Sequence, residues 1–166
     1  MKNIILIGMP GCGKSTFGKK LAEELHREFY DADEVLVMRE KRTIADFFAE
    51  SEAAFRAAET RTLQYLAEKE GVIIATGGGA VTRPENMELL SKNGTIVFID
   101  RKPEKIYETI NDVVRPLLND DKLRLFKLYE ERIGLYQEYA SYIIGNNGSS
   151  EATVEKLLNY IRGVQE

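Results

Sequence analysis

The sequence predicts an α/β fold, a three-layer α/β/α sandwich on a central parallel sheet of five strands. Two observations carry that reading. Short apolar runs bounded by turn residues alternate with stretches of helical period, the order expected when each strand is followed by a helix returning over the sheet. At 166 residues the chain has the size of one ordinary domain and can bury most of its surface unaided, so residues 1–166 are expected to form a single domain.

Asn3 to Ile7 reads as a buried first strand, followed by a glycine-rich turn and a helix from about Lys14 to Arg27 with Phe17, Leu21 and Leu25 on one face. A short second strand ends near Tyr30. Thr43 and Asp46 have capping-box spacing and start a helix at Ile44, and a longer helix after it turns Phe55, Ala58, Thr62 and Leu66 inward. The third strand, Val72 to Ala75, runs into Gly77, Gly78 and Gly79. Pro84 suits the first turn of another helix, Thr95 to Ile99 forms a central strand, and a helix follows from about Pro103. Periodicity breaks from Asn111 to Lys122 and resumes as a helix from Leu123 to Tyr139. Ser141 to Ile144 is the last strand, Asn146 to Ser150 a loop, and Val154, Leu157, Leu158 and Ile161 mark the closing helix.

Composition excludes several classes. Hydrophobic residues at 43% and charged residues at 30% belong to an ordinary globular chain rather than a disordered one. No apolar run approaches the length a bilayer requires, and the first apolar stretch is short and leads directly into glycines, so a cytoplasmic protein without membrane contact is expected. Cys12 alone cannot form an internal disulfide, and His26 without partner cysteines leaves little for a zinc site, so any metal is expected on oxygen. A net charge of −4 gives no overall attraction to nucleic acid. A monomer is expected.

Gly8-Met9-Pro10-Gly11-Cys12-Gly13-Lys14-Ser15 fits the Walker A pattern and sits between a strand and a helix, the context its mechanism requires. Glycines let the backbone wrap close enough to aim N–H groups at phosphate oxygens, and the helix N-terminus adds partial positive charge. Gly11, Cys12, Gly13, Lys14, Ser15 and Thr16 are thus the expected ATP-binding segment. Lys14 would reach the β and γ phosphates, and Ser15 would give its hydroxyl to Mg²⁺. Cys12 fills a free position, where a small side chain suffices. The chain lacks the N-K-x-D segment that reads guanine, and its third strand leads into three glycines, which can offer backbone N–H groups to an anion.

Further along, the chain resembles the shikimate kinases in motifs that occur in the same order. Asp31-Ala32-Asp33 is similar to the family's D-x-D, and Phe55-Arg56 with Glu59 resembles its F-R-x-x-E helix. Gly77-Gly78-Gly79-Ala80, Arg115-Pro116-Leu117-Leu118 and Arg132 in Glu131-Arg132-Ile133-Gly134-Leu135-Tyr136 follow. With the phosphate loop, the likeness spans residues 1 to about 140. It implies the P-loop NTPase type of sheet with strand order 2-3-1-4-5, and transfer of the γ-phosphoryl group of ATP to the 3-hydroxyl of shikimate. A shikimate-binding region over about 31–62 and a lid over about 111–122 come with it.

The implied roles suit the chemistry. Arg56 and Arg132 would hold the ring carboxylate, since a guanidinium presents paired donors that a lysine cannot copy. Glu59 would orient Arg56 from three residues away. Asp33 would accept a hydrogen bond from the attacked hydroxyl, with neighbouring arginines lowering its pKa further. Asp31 would hold the metal's water shell, and Arg115 in the lid would neutralise charge on the transferring group. Helix capping is the plainer role for either aspartate. A kinase for gluconate or a nucleoside monophosphate, and a non-catalytic module binding nucleotide or shikimate, remain open on the residues alone. One departure stands out: where the family often has an arginine that packs on adenine, this chain has Tyr107-Glu108, which leaves adenine to other groups such as the Asn146 to Ser150 loop.

Overall fold

The computed structural model describes residues 1–109 and 122–164. Five parallel strands, β1 (Asn3–Ile7), β2 (Phe29–Asp31), β3 (Ile73–Ala75), β4 (Gly94–Asp100) and β5 (Tyr142–Gly145), form a sheet in the order β2-β3-β1-β4-β5. The fold class and strand order agree with expectation. Ile5 lies opposite Ile74 on one side and Ile96 on the other. β1 is buried along its whole length, because helices cover both faces of a parallel sheet and its strands consequently read as continuous apolar runs.

Helix α1 (Lys14–Leu25) starts after Gly13, whose φ of 109° a side chain would resist. It stops at His26 in the left-handed region, two residues short of the expected end. Helix α2 (Ala32–Glu40) is an addition to the expected elements. Asp31 starts it, accepting the N–H groups of Asp33 at 3.0 Å and Glu34 at 3.3 Å. Thr43 caps α3 (Ile44–Glu50) through the Asp46 N–H, and Ser51 caps α4 (Glu52–Ala67) through the Ala54 N–H. Each such cap satisfies a donor that the helix itself leaves open, worth about 1 kcal/mol.

Among the described residues the remaining α-helices are α5 (Pro84–Ser91), α6 (Pro103–Thr109), α7 (Lys122–Tyr139) and α8 (Ser150–Val164). The main core lies around the sheet, where Leu6, Ile73, Ile74, Val97, Phe98 and Ile99 are wholly inaccessible. Leu6→Ala would leave a void there and cost about 2–5 kcal/mol. A smaller core, Leu36, Phe47, Phe55 and Ala58, knits α2, α3 and α4 together. That second core fixes the helices carrying Asp33, Arg56 and Glu59 at the carboxyl ends of β1 and β3, where open α/β sheets bind ligands.

Candidate active site

A cleft of about 440 Å³ opens above β1 and β3, walled by the phosphate loop, Asp31, Asp33, Thr76, Gly77 and Gly78. Gly11, Gly13, Lys14, Ser15 and Thr16 all face it. Cys12 does not: its thiol is buried and its N–H bonds the Met9 carbonyl at 3.1 Å. The nearly buried Lys14 ammonium donates to the carbonyls of Gly8 at 2.7 Å and Met9 at 2.9 Å. Asn146, at the start of the loop before α8, donates to the Cys12 carbonyl at 2.8 Å and ties that loop to the phosphate cradle.

Ser15 donates its hydroxyl to Asp31 Oδ2 at 2.6 Å, while Asp31 Oδ1 caps α2. Asp31 therefore performs the capping role and still presents an oxygen beside Ser15. A hydroxyl and a carboxylate on the cleft wall are hard oxygen donors, too few to cage an ion alone. No group of three or more His, Cys, Asp or Glu suited to a metal occurs among the described residues. That donor set fits Mg²⁺, which keeps several waters and takes few protein ligands.

Asp33, in the first turn of α2, faces the same cleft. Its carboxyl is held above the usual carboxylate range, chiefly by burial and next by the Asp31 charge, while Lys14 and Arg56 oppose the rise. The expectation that arginines would depress this group is corrected: the low-dielectric surroundings outweigh the cations. Glu59 is also raised by burial, against the pull of Arg56, and Asp33 adds to the rise.

A second cleft, of about 540 Å³, is lined by Arg56 and Arg132 together, with Phe48, Thr82, Arg124 and Leu135 among its other walls. Arg56 donates to Glu59 Oε1 at 2.9 Å, as the helical spacing leads one to expect. Glu59 is 2% exposed, and its Oε2 has no hydrogen-bond partner among the described residues. The glycines lie directly between these groups. A Cβ on Gly77 would come 2.8 Å from Glu59 Oε2 and 3.1 Å from Asp33 Oδ1, and one on Gly79 would collide with the Arg56 guanidinium. Asn86, completely buried, receives the Thr60 hydroxyl at 2.8 Å and donates to the Ala80 carbonyl at 3.0 Å, pinning the glycine turn to α4.

The structure therefore brings together Lys14, Ser15, Asp31, Asp33, Arg56, the three glycines and Arg132. Arg115 and nearly all of the expected lid lie outside the described residues. Two residues with a place in the site went unassigned in the sequence: Thr76, whose hydroxyl bonds the Leu6 carbonyl at 2.9 Å, and Tyr136, whose hydroxyl bonds the Gly78 carbonyl at 2.6 Å. Tyr136 stands inside a motif and Thr76 directly before one, but their partners are 58 and 70 residues away. At the departure noted before the lid, Tyr107 packs against the core and Glu108 is exposed, 3.8 Å from Lys105.

A parallel sheet in this order, with a Walker A loop opening onto a cleft that also holds carboxylates, defines a P-loop phosphotransferase. The family model for shikimate kinase matches residues 10–162. A shikimate kinase of Clostridium botulinum (strain Alaska E43 / Type E3) is 40% identical over 97% of this chain and 98% of its own. Among solved structures, shikimate kinase from Acinetobacter baumannii in complex with shikimate superposes with a TM-score of 0.91 at 36% identity, covering 98% of this chain and 94% of that one. Shikimate kinase from Aquifex aeolicus gives 0.85 at 36%, covering 98% of both. The chain belongs to the shikimate kinase family, ATP-dependent kinases that phosphorylate an alcohol. Among the described residues, no helix is long and apolar enough to cross a membrane.

Proposed function

We propose that this chain carries out its family's reaction with the residues named above, moving the γ-phosphoryl group of ATP to the 3-hydroxyl of shikimate. The observation that carries the assignment of roles is the placement of Asp33. It lines the phosphate cleft, yet feels the charge of Arg56 from the neighbouring cleft. An acceptor held by its carboxylate on Arg56 and Arg132 would present a hydroxyl to Asp33, and the nucleotide's terminal phosphate would approach from the Lys14 side.

The bond from the acceptor oxygen to phosphorus forms as the bond to the leaving ADP oxygen breaks, and the hydroxyl proton passes to Asp33 and then to solvent. Phosphoryl transfer runs through a loose transition state, so positioning and charge neutralisation dominate, and Asp33 orients before it deprotonates. Its raised pKa makes it a better acceptor than an ordinary aspartate. Lys14 and, from the lid, Arg115 neutralise charge on the transferring group. Ser15 and Asp31 would hold Mg²⁺, which would supply further charge neutralisation at the phosphates. The loop that Asn146 ties to the phosphate cradle would border the adenine. The enzyme works as a cytoplasmic monomer, with both substrates served by one domain.

A coupled assay of ADP release with a panel of acceptors tests this reading. Turnover with shikimate and none with gluconate is the expected result. Phosphorylation of gluconate with no rate on shikimate would overturn it.

A further inference from the structure

Tyr136 lies in α7 one helical turn beyond Arg132. It is 1% exposed and stacks on Phe98 of β4, ring centroids 4.9 Å apart. Its hydroxyl donates to the Gly78 carbonyl at 2.6 Å. Burial pushes the phenol pKa far up, while the nearby charge of Arg132 pulls it down. The phenol therefore stays a neutral donor. The other side of Gly78 is closed by the phosphate loop: a Cβ there would come 2.6 Å from Pro10 Cδ. Gly78 is clamped between the nucleotide's loop and the helix that carries an acceptor-binding arginine.

The Gly78 carbonyl and the Gly79 N–H belong to one planar peptide unit, so anchoring the first fixes the direction of the second. We propose that Tyr136 is a positioning residue for the acceptor. Its hydroxyl holds the Gly78 carbonyl from the same helix that carries Arg132, and so keeps the glycine turn and the carboxylate fork in register. This deepens the acceptor site proposed above and rests on it.

Steady-state kinetics of Tyr136→Phe, which keeps the ring and deletes the hydroxyl, provides the test. The shikimate KM is expected to rise about 5- to 10-fold, with the ATP KM nearly unchanged. Phe98→Leu is the control. It loosens the stack and lowers the melting temperature, and the shikimate KM is expected to stay put; an equal KM rise there would make packing the cause and overturn the proposal. In an Arg132→Lys background the effect of losing the hydroxyl is expected to shrink, and full additivity would overturn the link to Arg132. A Tyr136→Phe chain that fails to fold overturns it too, by assigning the hydroxyl to stability. Wild-type enzyme without shikimate turnover removes the acceptor site and this inference together, whereas active Tyr136→Phe with an unchanged shikimate KM removes this inference alone.

Discussion

The phosphate cradle takes consecutive residues from Gly8 to Ser15, largely as backbone, with Lys14 and Ser15 as its proposed reactive side chains. The proposed acceptor wall draws Asp33 from α2, Arg56 and Glu59 from α4, the glycine turn from the end of β3, and Arg132 from α7. A contiguous cradle needs only a strand, a turn and a helix to exist. The acceptor wall exists only once the sheet order and the small core among α2, α3 and α4 have been set. Side chains from three helices can be exchanged to suit another acceptor, while a backbone cradle offers little to exchange. Nucleotide grip and acceptor choice should therefore respond differently to substitution.

The largest expected effect falls on the nucleotide side. Lys14→Ala should lower kcat by about 10³-fold with the fold retained, because charge on the transferring group loses its nearest ammonium; single-turnover measurement of ADP release checks it. On the acceptor side, Asp33→Asn should lower kcat by about 10²-fold while ATP binding, followed by calorimetry, is unaltered. Near-normal turnover would strip Asp33 of its role and blur the contrast between the two sides. Arg56→Lys should raise the shikimate KM about tenfold and spare the ATP KM, since one prong of a paired contact is lost. Gly79→Ala should raise the same KM several-fold by pushing the Arg56 guanidinium aside, roughly a 1 kcal/mol disturbance.

The smallest effect concerns pH. In the proposed reaction Asp33 acts ionised, and its folded pKa lies above the ordinary carboxylate value. On acidification it therefore takes up its proton earlier than a free aspartate, and kcat/KM for shikimate should begin to fall at a correspondingly higher pH. Arg56 opposes that rise, so Arg56→Gln should move the acid limb upward again. A limb that stays fixed would separate Arg56 from Asp33 electrostatically.

The sequence made the cradle readable because the spacing of glycines and Lys14 is itself the mechanism. The sheet was readable too, since β1, β3 and β4 are apolar runs between turn signals. Helix α2 escaped because its apolar residues do not keep one stripe: Val35 and Leu36 are buried, yet Val37 and Met38 are exposed. The arginines and Asp33 could be named only through resemblance, because on spacing alone they look like solvated helix residues. The direction of the Asp33 pKa shift was misjudged for a related reason. Charges can be counted along a chain, whereas burial depends on elements that arrive from elsewhere. Tyr136 stood in plain view within its motif, but nothing local announces a carbonyl 58 residues away.

Asp31 divides its two oxygens between starting α2 and receiving the Ser15 hydroxyl. Under random mutagenesis this codon would obey two masters. Asparagine could preserve architecture while sacrificing ionic chemistry, whereas alanine would forfeit both at once. Folding would thus confine this position to helix-capping residues even in a lineage that had abandoned the reaction.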